Sequence, residues 1–277
     1  MKIFAPFPDN YVDSSFLEEM QKNVNVRTYD YMSLVINSGL ITLQISSIMI
    51  FLGVFTHLYS GTITPNGVAI FSFVSSIFGY FIWIYNTPQF LKRANNENYK
   101  EIVMLFAIVL GLTPILKTLT EDTSSDTIWA FTIILFITNL LFFDYTTTGN
   151  GIQFPASVSV NAAIFASVLL ASRLPTKHHV FSLCSYSVCW FVYFPMLCKA
   201  LKIRSPNLFT IISISSFISA SLLWFGISKL CVLLYSSVFM FITFVCPYWF
   251  ISLQKYKNEI IGPWDEATIM KKTRAIG

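Results

Sequence analysis

The sequence has almost no charge where charge would have to be buried. Between Ser33 and Leu253 it runs through about eight apolar stretches, and none of them contains Asp, Glu, Lys or Arg. Only 12% of the 277 residues are charged, where a soluble domain carries roughly 25%. Ionisable side chains inside membrane spans are the usual mark of proton and ion pathways, so their absence argues against an ion-driven carrier. The chain also has no Gly-rich phosphate loop, no HExxH and no Ser/His/Asp set. Its five cysteines, Cys184, Cys189, Cys198, Cys231 and Cys246, lie in or beside apolar stretches without CxxC or Cys/His spacing. They are expected to pack as small hydrophobes, and neither a metal nor a cofactor is expected. The N-terminal residues contain no apolar signal-peptide core, so the first span is expected to target the chain, and no lipidation motif ends it. The longest polar segment, residues 1–32, is far too short for a nucleotide-binding α/β domain.

What is present is hydrocarbon. Hydrophobic residues make up 55% of the chain and aromatics 17%, including 27 Phe, and the mean hydropathy is +0.63. The stretches 33–56, 66–85, 102–116, 127–143, 157–172, 180–198, 207–226 and 230–253 predict an all-α, polytopic transmembrane bundle. The third and fifth are short for full crossings. Three parts follow: a segment 1–32 with a possible interfacial helix, the bundle 33–253, and a tail 254–277. Fourteen of the 18 Lys and Arg fall in the termini and the even-numbered connectors, which predicts that both termini face the cytosol. Pro114, Pro195 and Pro247 sit near span ends, where a kink or stop is tolerated. Trp83, Tyr85, Trp129, Tyr145, Tyr248 and Trp249 form interfacial belts. Small residues recur four apart at Ser159, Ala163, Ser167 and Ala171, marking the fifth span as a candidate centre for the bundle. Asn37, Gln44, Asn139 and Asn161 are intramembrane amides, read as interhelical hydrogen-bonding groups rather than a transport site.

Three polar segments stand out. The first holds Pro8, Asp9, Asn10 and Tyr11, followed by an apolar side of Phe16, Leu17, Met20, Val24 and Val26 that suits an interfacial or partner-bound helix. The second runs from Thr113 through Lys117, Glu121, Asp122 and Asp126 to Thr127, with Thr123 or Asp126 as the expected cap of the next helix. Its Glu121–Asp122 pair offers a weak case for acid–base chemistry. The third contains Trp264, Asp265 and Glu266 after a Gly262-Pro263 helix stop, a plausible docking point for a partner.

Six ordered blocks carry a family resemblance. They are Pro6–Asp13 with Phe16–Glu19, Pro114–Glu121 with Ser125–Ile128, Phe142–Tyr145, Asn161–Val168, Leu170–Pro175 and Gly262–Ala267. No single block is diagnostic, but the ordered set resembles the C subunit of phosphatidylinositol N-acetylglucosaminyltransferase. The resemblance implies a multi-pass endoplasmic reticulum protein within a multi-subunit complex. That complex moves N-acetylglucosamine from UDP-N-acetylglucosamine to phosphatidylinositol on the cytosolic face, the first step of glycosylphosphatidylinositol anchor synthesis. The implied role is accessory, with a separate catalytic glycosyltransferase and no catalytic residue here. The expected partners are that glycosyltransferase and other membrane subunits, with no nucleic acid. Lys199, Lys202 and Arg204 are candidates for the inositol phosphate head group. The motif residues Pro8, Asp9, Asn10, Tyr11, Lys117, Glu121, Asp126, Asp144, Asn161, Arg173, Trp264, Asp265 and Glu266 are candidates for partner or structural contacts. Two alternatives remain at this level: a polytopic sugar transferase using Glu121 and Asp122, and a lipid or solute transporter.

Overall fold

The computed structural model describes residues 21–22, 29–86, 123–145, 156–254, 256 and 260–261. The expected span 102–116 lies outside them. Within them the chain is helical apart from one two-residue pairing: α1 Tyr31–Tyr59, α2 Pro65–Asn86, α3 Ser125–Leu141, α4 Ala156–Ala171, α5 Lys177–Arg204, α6 Pro206–Phe225 and α7 Lys229–Gln254. Four of these, α1, α5, α6 and α7, are long and apolar enough to cross a membrane.

The helices start on local signals. Asp30 caps α1 by accepting from the Ser33 amide at 3.0 Å, and Thr176 caps α5 by accepting from His179 N. For α3 the expected caps, Thr123 and Asp126, are not used: Ser124 accepts from Thr127 N, while Asp126 sits in the first turn. There its carboxylate faces the positive end of the helix dipole. After α1 the chain turns at Gly61 with φ +73°, a conformation glycine adopts without a Cβ clash.

Of the three prolines expected near span ends, Pro114 lies outside the described residues, and Pro195 and Pro247 are absorbed rather than used as stops. Pro195 follows a π-helical turn at Cys189–Tyr193, and Pro247 follows one at Phe241–Val245. A proline ring crowds the carbonyl four residues back and offers no N–H, and the wider π turn relieves both. α5 and α7 therefore run on past their prolines, to Arg204 and Gln254.

α1 and α5 share the centre of the described helices: α1 touches α3, α5, α6 and α7, and α5 touches α1, α2, α4 and α6. Phe51, fully buried, packs against Phe136 of α3 and Tyr186 and Phe191 of α5, with ring centroids 5.1–5.9 Å apart. The Trp190 and Trp224 indoles donate to the α1 carbonyls of Ser47 and Met49 at 2.9 and 2.8 Å. Close approach of α6 rests on glycine: a Cβ on Gly39 would lie 3.0 Å from the Phe209 ring, and one on Gly53 3.2 Å from Leu223. The row Ser159, Ala163, Ser167, Ala171 is buried as its spacing predicts, and α3 and α5 lie against α4. α4 is thus closely paired with α3, while among the described helices the central position expected for it belongs to α1 and α5.

α1 begins at what we call the proximal end and stops at the distal end. α6 runs parallel to it, and α3, α5 and α7 run antiparallel, as the contacts Trp129–Phe55, Trp190–Ser47 and Tyr31–Phe244 require. α7 therefore finishes at the proximal end, where α1 begins. There Gln21–Lys22 pairs antiparallel with Ile260–Ile261, tying the flank before α1 to the flank after α7. α2 runs alongside α5, with Ser76 on Cys189 and Phe71 on Tyr186, so Asn86 is proximal, whereas Thr123 meets Arg173 at the distal end. α3 ends at Leu141, and residues 146–155 of the connector to α4 lie outside the described residues. The hydrogen-bonded contact between the two helices, Asn139 to Ser159, lies level with Gln44, near the middle of α1. The Phe142–Tyr145 segment sits beside the third to fifth turns of α1 and the last turns of α5: Phe143 lies by Leu40, Leu43, Gln44 and Ser47, and Tyr145 packs with Leu40, Leu43 and Cys198.

Candidate functional site

Above the α3–α4 hairpin, a hydrogen-bonded polar core meets a charged rim. The core is three side chains on three helices. Gln44 of α1 donates to Asn139 Oδ1 at 2.7 Å, and Asn139 Nδ2 donates to the Ser159 carbonyl and hydroxyl, both at 2.9 Å. Ser159 returns its hydroxyl to the Asn139 carbonyl at 2.8 Å. All three residues are buried. Buried amides are costly unless every donor and acceptor is used, and this closed arrangement fixes the rotation of three helices whose apolar faces alone would not.

The rim is built from the Phe142–Tyr145 block and the end of α5. Lys199 Nζ lies 2.9 Å from Asp144 Oδ2, both side chains about one quarter exposed or less, and 4.9 Å from the Phe143 ring centroid. Tyr145 donates to the Leu140 carbonyl at 2.6 Å, which holds the segment back against α3. Lys202 donates to the Asn37 carbonyl at 3.4 Å and lies 5.5 Å from the Phe209 ring centroid. Neither of those groups is charged. Arg204 is exposed in the last turn of α5. The three predicted head-group candidates are thus adjacent but unlike: Lys199 has a carboxylate partner, whereas Lys202 meets a carbonyl and a ring.

At the distal end Arg173, the other basic candidate, donates from its guanidinium to the Thr123 carbonyl. This joins the α4–α5 connector to the residue before the α3 cap. Beside it lies a pocket of about 370 Å³ lined by Phe55, Tyr59, Ser125, Ile128, Trp129, Leu170 and Arg173. His179 Nδ1 is 2.7 Å from the Thr176 hydroxyl at the exposed start of α5. Among the described residues no group of three or more His, Cys, Asp or Glu could hold a metal ion.

The four amides separate into two kinds. Gln44 and Asn139 form the interhelical bonds expected of them. Asn37 and Asn161 do not: both are exposed, and Asn37 participates through its backbone carbonyl. The sequence alone does not pair Asp144 with Lys199. Its only signal is the charge near the end of the Phe142-Phe143-Asp144-Tyr145 block, and nothing along the chain says which cation that charge meets. Pro8, Asp9, Asn10, Tyr11, Lys117, Glu121, Asp122, Trp264, Asp265 and Glu266 lie outside the described residues.

Comparison with known proteins reaches across the whole bundle. A family model described as phosphatidylinositol N-acetylglucosaminyltransferase (GPI2) matches residues 4–265. A Dictyostelium discoideum protein whose name designates it the C subunit of that enzyme is 42% identical over 97% of this chain and 78% of its own length. The human C subunit of phosphatidylinositol N-acetylglucosaminyltransferase is 35% identical over 95% of this chain and 90% of its own. A Saccharomyces cerevisiae GPI2 subunit is 26% identical over 95% and 93%. No solved structure matches the chain.

Proposed function

The chain belongs to the C-subunit (GPI2) family of phosphatidylinositol N-acetylglucosaminyltransferase, and from that premise we propose that it is a non-catalytic membrane subunit of the transferase complex. The complex transfers N-acetylglucosamine from UDP-N-acetylglucosamine to phosphatidylinositol in the endoplasmic reticulum membrane, opening glycosylphosphatidylinositol anchor synthesis. This chain holds the catalytic subunit and other membrane subunits together, with both termini in the cytosol.

The observation that carries the reading is the extent of the match. It spans residues 4–265, so the relatives share the bundle and both flanks rather than one motif. The accessory role is supported by the names of the relatives, which designate one subunit of the transferase rather than the whole enzyme. For the lipid acceptor, the proximal rim is the favoured contact. Lys202 and Arg204 lie where positive charge attracts an inositol phosphate, and Lys199 braces Asp144 beside them.

The test is a transfer assay on the tagged full chain captured in mild detergent, with its co-captured proteins identified. Activity is expected to follow a co-captured glycosyltransferase and to vanish when that partner is stripped away. Activity kept by the stripped chain would overturn the accessory reading. The Glu121→Ala/Asp122→Ala variant is expected to retain activity, and its loss with the complex intact would favour a catalytic acidic pair instead. For the lipid, Lys202→Gln/Arg204→Gln is expected to raise the phosphatidylinositol concentration for half-maximal transfer with co-capture unchanged.

A further inference from the structure

α4 presents two different faces. Its inner face, Ser159, Ala163, Ala166, Ser167 and Leu170, is buried, and the hydroxyls on it are hydrogen-bonded. Its outer face is Val158, Asn161 and Phe165, all exposed and about one turn apart. Asn161 is two residues beyond Ser159, and Ser159 is level with Gln44, so this amide lies near the middle of α1, the longest of the membrane-capable helices. Among the described residues nothing forms a hydrogen bond to its side chain.

Several outward-facing hydroxyls on these helices are handled differently. Thr138, Thr210, Ser215 and Ser237 also face outward, and each returns its hydroxyl to a carbonyl three or four residues back in its own helix. A hydroxyl treated this way can face lipid at little cost. The Asn161 amide carries two donors and an acceptor, and hydrocarbon offers it neither partner. Polar side chains in such positions are satisfied by a facing helix.

We infer that the Val158–Asn161–Phe165 face of α4 is a docking surface for a transmembrane helix of another subunit, one that offers a hydrogen-bonding side chain to the Asn161 amide. Val158 and Phe165 supply the apolar seat on either side, and the amide fixes depth and rotation. The inference rests on the proposed membership of a membrane complex and specifies where one partner sits.

The experiment uses the full chain expressed with its complex. Asn161→Leu removes the hydrogen-bonding group at similar volume, and Asn161→Gln keeps it. Co-captured membrane subunits are quantified in mild detergent, together with the level of the chain itself. Asn161→Leu is expected to lower co-capture of one transmembrane subunit by roughly three- to thirty-fold, the range of an interhelical hydrogen bond in a membrane. Asn161→Gln should hold most of it. Wild-type co-capture in the Asn161→Leu variant would overturn the inference while leaving the complex itself standing. If the wild-type chain captures no other subunit, the proposed function fails and this inference with it. Should Asn161→Leu lower the amount of the chain, a photo-crosslinking residue at Phe165 decides the matter. Linkage to a transmembrane partner supports the docking face; linkage only to lipid or to a second copy of this chain overturns it.

Discussion

α5 and α7 look alike in sequence and are treated in opposite ways by the fold. They are 28 and 26 residues long, and both carry a π-helical turn that ends two residues before a proline. α7 is the more apolar, with a mean hydropathy of 2.1 against 1.6 over its greasiest stretch, yet that stretch is 11% buried where its α5 counterpart is 61% buried. Greasiness does not select the inner helix of a membrane bundle, because lipid is as apolar as Leu and gives no reason to hide it. Close packing and hydrogen bonds select it. α5 contributes Ser182, Ser185, Ser187, Cys184, Cys189 and Cys198 to the interior, whereas Tyr235, bonded to Ser46 at 2.7 Å, and Pro247 are the buried residues of α7.

The same deletion in the two helices should separate them most clearly. Leu183→Ala, at a fully buried α5 position, is expected to cost about 2–5 kcal/mol. It should lower the thermal midpoint of the detergent-solubilised protein by several degrees, whereas Leu233→Ala, exposed on α7, should stay within about 0.5 kcal/mol. Equal shifts would mean that the contrast in burial does not carry through to stability. Next, Asn139→Ala leaves the Gln44 amide without its acceptor and the Ser159 carbonyl without its side-chain donor, while the Ser159 hydroxyl keeps the backbone carbonyl of residue 139, at an expected cost of about 1–3 kcal/mol in the same melting measurement. Gly39→Ala places a methyl 3.0 Å from the Phe209 ring; the overpacking outweighs the better helix propensity by about 1 kcal/mol. Smallest is the rim pair. A double-mutant cycle of Asp144→Asn and Lys199→Gln is expected to give a coupling of about 0.2–1 kcal/mol, since both side chains remain partly solvated. A larger coupling would mean that the rim is shielded within the membrane as strongly as the α5 interior.

The placement of most helices was legible. An uncharged run of twenty residues has one stable form in lipid, so α1, α2, α6 and α7 lie close to their expected stretches. The four-residue rhythm of Ser159, Ala163, Ser167 and Ala171 told correctly which side of α4 is packed. Rotation was much harder to read. Asn139 and Asn161 are the same residue type in neighbouring spans, but Asn139 turns inward to Gln44 and Ser159 while Asn161 turns outward. With apolar residues all round a helix, no stripe in the sequence records which side meets protein. The rim was partly legible for the same kind of reason. Lys199, Lys202 and Arg204 could be grouped because they lie close together at the end of α5, but the partner of Lys199 comes from a connector 55 residues earlier.

The sequence by itself determined that this is a helical membrane protein, where most of its spans begin and end, and which family it joins. Those follow from the cost of unpaired backbone in hydrocarbon and from ordered blocks along the chain. Only the tertiary structure decided that α1 and α5 share the centre, that α7 is peripheral, that Asp144 meets Lys199 and that Asn161 faces out. Each of these depends on the rotation and depth of one helix against another. In a membrane, packing and a few interhelical hydrogen bonds set that rotation, since burial of apolar surface does not distinguish a neighbouring helix from lipid.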